Sequence, residues 1–120
     1  MACLILYQGQ EIGYVQYYPI EEDSYKFNNS STYEKVKGAY GIDMFIGEPM
    51  LWQKGIGRQA LSNLEDFLRS QLKVPKICAD PAVENERGTE FWKKVGFEVI
   101  DIIEDYDDSS AQSMLMMKSF

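Results

Sequence analysis

A glycine-containing segment near the middle of the chain has the residue types needed to bind an anion. It reads Gln53-Lys54-Gly55-Ile56-Gly57-Arg58 and directly precedes a run with helical periodicity. Glycines allow successive backbone N–H groups to converge on one anion, and the N-terminus of a helix adds a partial positive charge. We therefore predict that this turn holds a pyrophosphate, with Lys54 and Arg58 adding side-chain charge.

The same segment matches neither of two common nucleotide-binding patterns. It is not a Walker loop, because no Gly-Lys-Ser/Thr follows a four-residue spacer, and it lacks the full dinucleotide fingerprint. Taken alone, it is equally typical of a glycine-containing connection between a strand and a helix. The surrounding elements must decide between the two interpretations.

The composition limits the proton-transfer chemistry. The chain has no histidine, so a carboxylate, a tyrosine, a lysine or water must act as any general base. Its two cysteines, Cys3 and Cys78, fall in strand-like apolar stretches without a second cysteine or histidine nearby. We expect both to be buried, reduced thiols, and we expect neither a disulfide nor a metal site.

The first third of the chain predicts a hairpin and a loop. Cys3–Tyr7 and Ile12–Tyr18 are rich in aliphatic and aromatic residues, and the glycine-containing connection between them suits antiparallel strands. From Pro19 to Gly38 the chain is polar and rich in turn-forming residues. We expect a long surface loop there with little to bury, and such loops are often functional.

Strands and helices are predicted to alternate in the rest of the chain. Ala39–Ile46 alternates as a strand does, and apolar residues then recur at helical spacing from Ile56 to Leu72. A short strand, Lys76–Ala79, precedes a second helix that begins after Asn85 as N-cap and closes at Gly96. Two further strands, 97–103 and 113–118, complete a mixed α/β order of β-β-β-α-β-α-β-β.

The order of these motifs resembles that of the GNAT acyltransferases over essentially the whole chain. The phosphate loop of that superfamily, Gln/Arg-x-x-Gly-x-Gly/Ala, aligns with residues 52–57. More specifically, Gly41-Ile42-Asp43-Met44-Phe45-Ile46-Gly47-Glu48-Pro49 is similar to the central segment of aminoglycoside 6′-N-acetyltransferases. The similarity continues, in the same order, through Ala79-Asp80-Pro81, Asn85-Glu86-Arg87 and Lys94-Val95-Gly96-Phe97.

The resemblance implies both a fold and an activity. The fold would be a GNAT-like, mainly antiparallel sheet with two main helices, forming one domain over residues 1–120. The activity would be transfer of acetyl from acetyl-CoA, without a metal, by direct attack of a primary amine in a ternary complex. An aminoglycoside 6′-amine is the expected acceptor, while a hydroxylamine-type siderophore precursor or another polyamine remains open.

The resemblance also implies roles for individual residues. The coenzyme would lie between the strand, at Phe45 and Ile46, and the phosphate loop. Asp43 would serve as the base or as the anion that orients the amine, and Asp80 would meet a cationic amino sugar. Such a role suits a carboxylate, which holds a protonated amine and, with a raised pKa, helps to remove its proton. The plain alternatives are a strand-edge residue and an Asp-Pro turn.

The second helix carries the remaining expected coenzyme contact. Asn85 and Arg87 match an Asn-x-Arg motif in which the asparagine commonly contacts the pantetheine arm and the arginine supports the geometry. Their plain alternatives are an N-cap and a surface charge. Many GNAT enzymes place a tyrosine one turn later to protonate the departing thiolate. This chain has Trp92 there, whose indole is no useful acid, so Tyr40, water or no enzyme group would serve.

Two further departures from the family pattern leave alternatives open. Trp52 replaces the usual first residue of the phosphate loop. The strand and helices that commonly precede the first hairpin have no counterpart, so we expect either a shortened chain or a homodimer in which another subunit covers the exposed sheet edge. A coenzyme-binding module without turnover and a purely structural module therefore remain alternatives.

Net charge and hydropathy exclude some partners. The formal net charge of −7 disfavours nucleic acid and favours a cationic small-molecule amine, although an acidic balance also serves solubility. An acidic run, Glu104-Asp105-Tyr106-Asp107-Asp108, either enlarges an acidic rim or forms a solvated turn. No apolar run is long enough to span a bilayer, and the first residues lack signal-peptide features. We expect a cytoplasmic protein that does not bind membranes.

Overall fold

A computed structural model describes residues 1–47, 54–104 and 111–120 of the chain. It contains seven strands and three helices among those residues. In chain order, the elements are β1 (Ala2–Tyr7), β2 (Gln10–Pro19), β3 (Lys26–Phe27), α1 (Thr32–Val36), β4 (Tyr40–Ile46), α2 (Ile56–Gln71), β5 (Lys76–Ala79), α3 (Glu86–Lys94), β6 (Glu98–Glu104) and β7 (Gln112–Ser119).

The strands form one sheet in the order β1-β2-β4-β5-β7-β6-β3. Every neighbouring pair is antiparallel except β4 and β5, which run parallel. The prediction of a mixed α/β, mainly antiparallel fold with two main helices is therefore confirmed. The single parallel pair lies at the centre of the sheet, where the chain must cross over through α2 to return in the same direction.

The parallel pair separates soon after it forms. β4 pairs with β2 along the whole length of β4, from Tyr40 to Ile46. By contrast, β5 pairs with β4 only at Tyr40 with Ile77 and at Gly41 with Cys78. Beyond those positions no register pair among the described residues joins the two strands, so they diverge toward their carboxyl ends. The main-chain edge of β4 therefore borders a gap.

The helices α2 and α3 cover one face of the sheet. Leu61, Leu64 and Leu68 recur on one side of α2 and are buried against the strands, as the predicted periodicity requires. We call this cluster the helix-side core. Its buried members are Val15, Tyr17, Ile42, Leu61, Leu64, Leu68, Val74, Ile77, Ala79, Trp92, Phe97 and Met116.

The segment from Pro19 to Gly38 is not the bare surface loop that its polarity predicts. It contains β3 and α1, and it supplies the buried side chains of Ile20, Tyr25 and Val36. These residues cover the opposite face of the sheet together with Ala39, Cys78, Ile103 and Leu115. We call this the loop-side core. The apolar residues are too widely spaced to give a period, so the sequence pattern conceals their burial.

The two cysteines differ in exposure. Cys78 is buried in the loop-side core, as expected, but Cys3 is exposed on β1. The prediction that both thiols are buried is wrong for Cys3, because β1 is an edge strand with a neighbour on one side only. In the described part of the chain, the longest helix is α2, and no helix combines the length and the apolar character needed to cross a bilayer.

Candidate functional site

The predicted phosphate loop leads into a helix whose N-terminus has no internal cap. Gly55 precedes α2 with a φ of 76°, a left-handed conformation that favours glycine. No side chain among the described residues caps the helix, and its first turn contains no acidic residue. The first backbone N–H groups of α2 are therefore suited to an external anion. Gln53, also predicted to bind the coenzyme, lies outside the described residues.

The positions of Lys54, Ile56, Gly57 and Arg58 agree with a loop at the surface. Lys54 and Arg58 are exposed, Ile56 is half-buried, and Gly57 is buried in the first turn of α2. A Cβ at Gly57 would meet the Cδ1 atom of Ile46 at 3.5 Å, an ordinary contact. The end of β4 and the start of α2 are thus direct neighbours.

The second helix begins differently. The Asn85 side chain caps α3, because its Oδ1 atom accepts a hydrogen bond of 2.9 Å from the Gly88 N–H. The predicted N-cap is therefore present, and this oxygen already has a protein partner. Arg87 is exposed in the first turn of the helix. Within residues 1–47, 54–104 and 111–120, the N-terminal donors of α2, unlike those of α3, therefore have no side-chain acceptor.

Asp43 and Asp80 meet where β4 and β5 diverge. Gly41 lies opposite Cys78 in the parallel register, and two residues further along each strand a side chain returns to the same face. Those residues are Asp43 and Asp80, and their carboxyl groups share a hydrogen bond. A hydrogen bond between two carboxyl groups requires one proton between them. The two predicted acidic residues therefore form a pair.

Burial and mutual repulsion shift the acidity of this pair. Burial, and then the neighbouring Asp43 charge and the shared hydrogen bond, together raise the pKa of Asp80 to about 7. Burial also raises the pKa of Asp43, while its hydrogen bond with Asp80 opposes that change. Asp80 is consequently the partner that holds the proton near neutral pH. The pair is poised to change its protonation state there.

Two tyrosines extend the acidic pair into the loop-side core. The hydroxyl groups of Tyr18 and Tyr25 are 2.6 Å apart. Burial is the main cause that raises the pKa of both phenols, and the charge of Asp80 raises both further. Gly41 makes room for the arrangement, since a Cβ there would lie 2.3 Å from the Cζ atom of Tyr18. The absence of a side chain at this glycine thus lets the ring pack against the strand.

Tyr25 is a site neighbour that sequence reasoning missed. It lies in the segment predicted as a loop with little to bury, and no periodic pattern marks it. Strand register does indicate the position of Tyr18, because Tyr18 on β2 lies opposite Gly41 on β4, close to Asp43. A tyrosine facing a strand glycine indicates that a ring covers the backbone there. By contrast, Tyr17 points into the helix-side core and Tyr33 packs against the loop-side core.

An apolar row lies beside the acidic pair on the same face of the sheet. Leu4, Tyr14 and Phe45 are in register across β1, β2 and β4, and all three are exposed. The rings of Tyr14 and Phe45 are 5.7 Å apart between centroids. Alternation along β4 puts Phe45 on the face of Asp43 and Ile46 on the other. The two predicted coenzyme contacts therefore present different sides of the strand.

The other predicted groups lie apart from this row. Tyr40 and Trp92 both belong to or pack against the helix-side core, where Trp92 is 7% exposed. Glu104 forms an ion pair of 3.4 Å with Lys26, and the acidic residues 105–108 lie outside the described residues. Where the chain is described, no cluster of three or more acidic, cysteine or histidine side chains is arranged to hold a metal ion.

The arrangement places two kinds of group on either side of one gap. The uncapped start of α2 adjoins the end of β4 on the helix side, and the acidic pair lies on the loop side, three residues back along the strand. Three residues of strand span about 10 Å. The gap therefore lies between a group of backbone donors suited to an anion and a carboxyl pair suited to a cation.

A family model described as an acetyltransferase (GNAT) domain matches residues 1–104. The match takes in β1 through β6, including the diverging strands and both helices that flank them. The chain belongs to the GNAT acetyltransferase family. That assignment gives the glycine loop, the gap and the acidic pair a common context.

Solved structures of several acetyltransferases share the fold. The aminoglycoside acetyltransferase AAC(6′)-Ib in complex with ribostamycin and coenzyme A superposes with a TM-score of 0.76 at 24% identity, over 98% of this chain and 63% of that one. A ribosomal-protein-alanine N-acetyltransferase from Brucella melitensis gives a TM-score of 0.72 at 18% identity, over 99% of this chain and 68% of the other.

A third structure has a different acceptor again. A spermidine N-acetyltransferase chimera, SpeG from Vibrio cholerae with hSSAT, gives a TM-score of 0.69 at 18% identity. It is covered over 61% of its length, and this chain over 93%. The chain thus spans less than two thirds of the length of AAC(6′)-Ib, and the solved relatives differ in the amine that their names specify.

Proposed function

We propose that the chain is an acetyl-CoA-dependent N-acetyltransferase whose acceptor is a cationic primary amine, with an aminoglycoside 6′-amine as the first acceptor to test. The single observation that carries the proposal is the gap between β4 and β5, with the Asp43–Asp80 pair on one side and the uncapped N-terminus of α2 on the other. Family membership supports the transfer chemistry, and the names of the solved relatives support an amine acceptor.

In this proposal, the start of α2 binds the pyrophosphate of acetyl-CoA. The donors are the backbone N–H groups that follow Gly55, with Lys54 and Arg58 beside them and Ile56 and Gly57 in the first turn. We also assign Gln53 to coenzyme binding, although it lies outside the described residues. Bound there, acetyl-CoA supplies an activated acetyl group as a thioester. The edge of β4 near Phe45 and Ile46 positions the thioester arm, and the exposed residue Asn85 is a second contact.

The acidic pair acts on the amine. An entering ammonium group favours the doubly ionised pair, so the shared proton leaves and the cation is held by Asp43 and Asp80. Asp43 then accepts one proton from the nitrogen, whose lone pair forms the new C–N bond as the C–S bond breaks. A second proton of the amine passes through water to the departing sulfur. Water serves here because Trp92 offers no acid at the position of the family's tyrosine.

The apolar row provides for selection among amines. The exposed rings of Tyr14 and Phe45 present a flat surface on the side of Asp43. A sugar ring has an apolar face that packs on such a surface, whereas a flexible polyamine gains less from it. An amino sugar therefore fits both the charge and the surface. The acidic net charge of the chain attracts either class of cation.

Binding and turnover are tested in two stages. Titration calorimetry with acetyl-CoA first measures the coenzyme affinity of the chain. Mass spectrometry then follows acetylation of kanamycin, spermidine and an alanine-initiated peptide, and a ranking with kanamycin first supports the acceptor proposed here. Spermidine first would reassign the acceptor, and coenzyme binding without any product would favour a binding module over an enzyme.

The role of Asp43 has a matched control. We expect Asp43→Asn to lower kcat/KM for the amine by about a hundredfold or more, the usual contribution of a positioned base. The dissociation constant of acetyl-CoA should stay unchanged. Asp66→Asn makes the same chemical change at an exposed position on α2 and should leave both quantities unchanged. Equal activity of the two variants would exclude Asp43 as the base.

A homodimer is proposed as a cover for the open edge of the sheet. Among the strands that the structure describes, β1 has a neighbour on one side only, and Leu4 and Leu6 are 63% and 61% exposed along it. An exposed apolar edge strand is prone to pair with another strand. Sedimentation at several protein concentrations tests this, and a purely monomeric chain at high concentration would contradict it.

A further inference from the structure

A basic groove runs between α2, the end of α3 and β7. Its volume is about 440 Å³. Arg58, Lys94 and Lys118 line it, together with Glu65 and Ser62. Three cations and one anion give a formal charge of +2 in a chain whose net charge is −7. A concave surface with this charge favours an anion against the field of the whole protein.

The three cations are not equivalent. The Lys118 ammonium lies 2.7 Å from the Oε2 atom of Glu65, which is shielded from solvent. Lys118 is thereby neutralised and held in place. Arg58 and Lys94 are exposed and form no ion pair with any residue that the structure describes. They are therefore the two groove cations with charge available for a ligand.

The groove and the proposed pyrophosphate site share Arg58. Arg58 lies in the first turn of α2, directly after the glycine loop, and also lines the groove. One turn of helix rises about 5.4 Å, so a ligand whose pyrophosphate sits at the loop reaches the groove within a few bonds. The adenosine of coenzyme A carries, at that distance from its pyrophosphate, a ribose 3′-phosphate of charge about −1.5 to −2 at neutral pH.

We propose that this groove binds the 3′-phosphate of coenzyme A through Arg58 and Lys94, with the Lys118–Glu65 pair forming its floor. The inference rests on the proposed function, because it requires that the coenzyme pyrophosphate lies at the loop before α2. It adds a subsite for a phosphate monoester, beyond the pyrophosphate loop. The subsite selects the 3′-phosphorylated coenzyme over its dephosphorylated form.

Removing the phosphate from the ligand and the charge from the groove in parallel tests the inference. Titration calorimetry measures the dissociation constants of coenzyme A and of 3′-dephospho-coenzyme A for the unchanged chain and for Lys94→Ala. For the unchanged chain, we expect the dephospho form to bind about tenfold more weakly, as loss of a charged hydrogen-bonded contact requires. Lys94→Ala should weaken coenzyme A by about fivefold and leave the dephospho form unaffected.

The adjacent residue supplies the control. Lys93 is exposed on α3 but does not line the groove, so Lys93→Ala should keep the tenfold preference. Salt should reduce the preference of the unchanged chain, because the contact is between exposed charges. An unchanged affinity of Lys94→Ala for the dephospho form also shows that this variant is folded.

Each other outcome overturns a defined part of the reasoning. Equal affinities of the unchanged chain for the two ligands would remove the subsite and leave the proposed function standing. Equal weakening of both ligands by Lys94→Ala would exclude a phosphate contact for this lysine. Failure of the unchanged chain to bind either ligand would reject the proposed function and the subsite together.

Discussion

Replacing Asp80 with asparagine should change how the stability of the protein depends on pH. The pKa of Asp80 rises from its ordinary value of 3.8 to about 7 in the folded chain, mainly through burial and then through the Asp43 charge. The folded chain therefore binds this proton more tightly than the unfolded chain. Between these two values, stability falls as pH rises, because folding requires the carboxyl group to keep a proton that solution removes.

The size of the effect follows from the two pKa values. Each pH unit between them costs about 1.4 kcal/mol, so ionised Asp80 lowers the free energy of unfolding by at most about 4 kcal/mol above pH 7. At about pH 5, ionisation of Asp80 lowers the free energy of unfolding by less than half of that amount. The amide of asparagine resembles the protonated acid at every pH and donates to Asp43 in its place. We expect Asp80→Asn to gain about 2 to 3 kcal/mol over the unchanged chain between about pH 5 and pH 8.

Urea unfolding followed by tryptophan fluorescence measures this difference, since Trp92 is buried in the helix-side core. The unchanged chain, Asp80→Asn and Asp66→Asn are unfolded at both pH values. Because Asp66 is exposed, the stability of Asp66→Asn should change with pH as that of the unchanged chain does. If the stability of Asp80→Asn differs from that of the unchanged chain by the same amount at both pH values, Asp80 does not titrate near neutrality, and the account of the acidic pair is wrong.

Three further variants test local features, each by urea unfolding. Gly55→Ala should destabilise the chain by about 1 kcal/mol because φ is 76° there. Gly57→Ala should be nearly neutral because the added Cβ meets only ordinary contacts, and equal effects of the two variants would contradict the role of the positive φ at Gly55. Tyr18→Phe and Tyr25→Phe should show a coupling of about 1 kcal/mol in a double-mutant cycle, and additive losses would exclude the hydroxyl contact. Asn85→Ala should cost about 1 kcal/mol and Asn85→Asp almost nothing, as expected of an N-cap.

The main elements were predictable because their patterns are local. The spacing of Leu61, Leu64 and Leu68 identifies α2, and the capping residue Asn85 marks the start of α3. A glycine loop before a helix also carries its own signal. These features depend on residues within a few turns of one another, so a single sequence contains the information needed to predict them.

The acidic pair and the loop-side core were only partly predictable because they depend on register and on distant contacts. Asp43 and Asp80 are 37 positions apart, and their pairing follows from the alignment of Gly41 with Cys78, which no local pattern reveals. Tyr25 is buried by strands from both halves of the chain. Polar neighbours hide such a residue, since its burial is decided by tertiary packing rather than by period.

The unequal exposure of the two thiols makes the reactivity of Cys78 a measure of local opening in the loop-side core. It is fully buried in that core, and burial raises its pKa to about 12, so it is protected from alkylating reagents while the core stays closed. Once Cys3 is replaced by serine, the remaining thiol reacts only when the loop-side core around it opens. Its alkylation rate then measures how readily that core opens in the resting protein, and the change in that rate on adding a ligand measures how far the ligand stabilises the closed state.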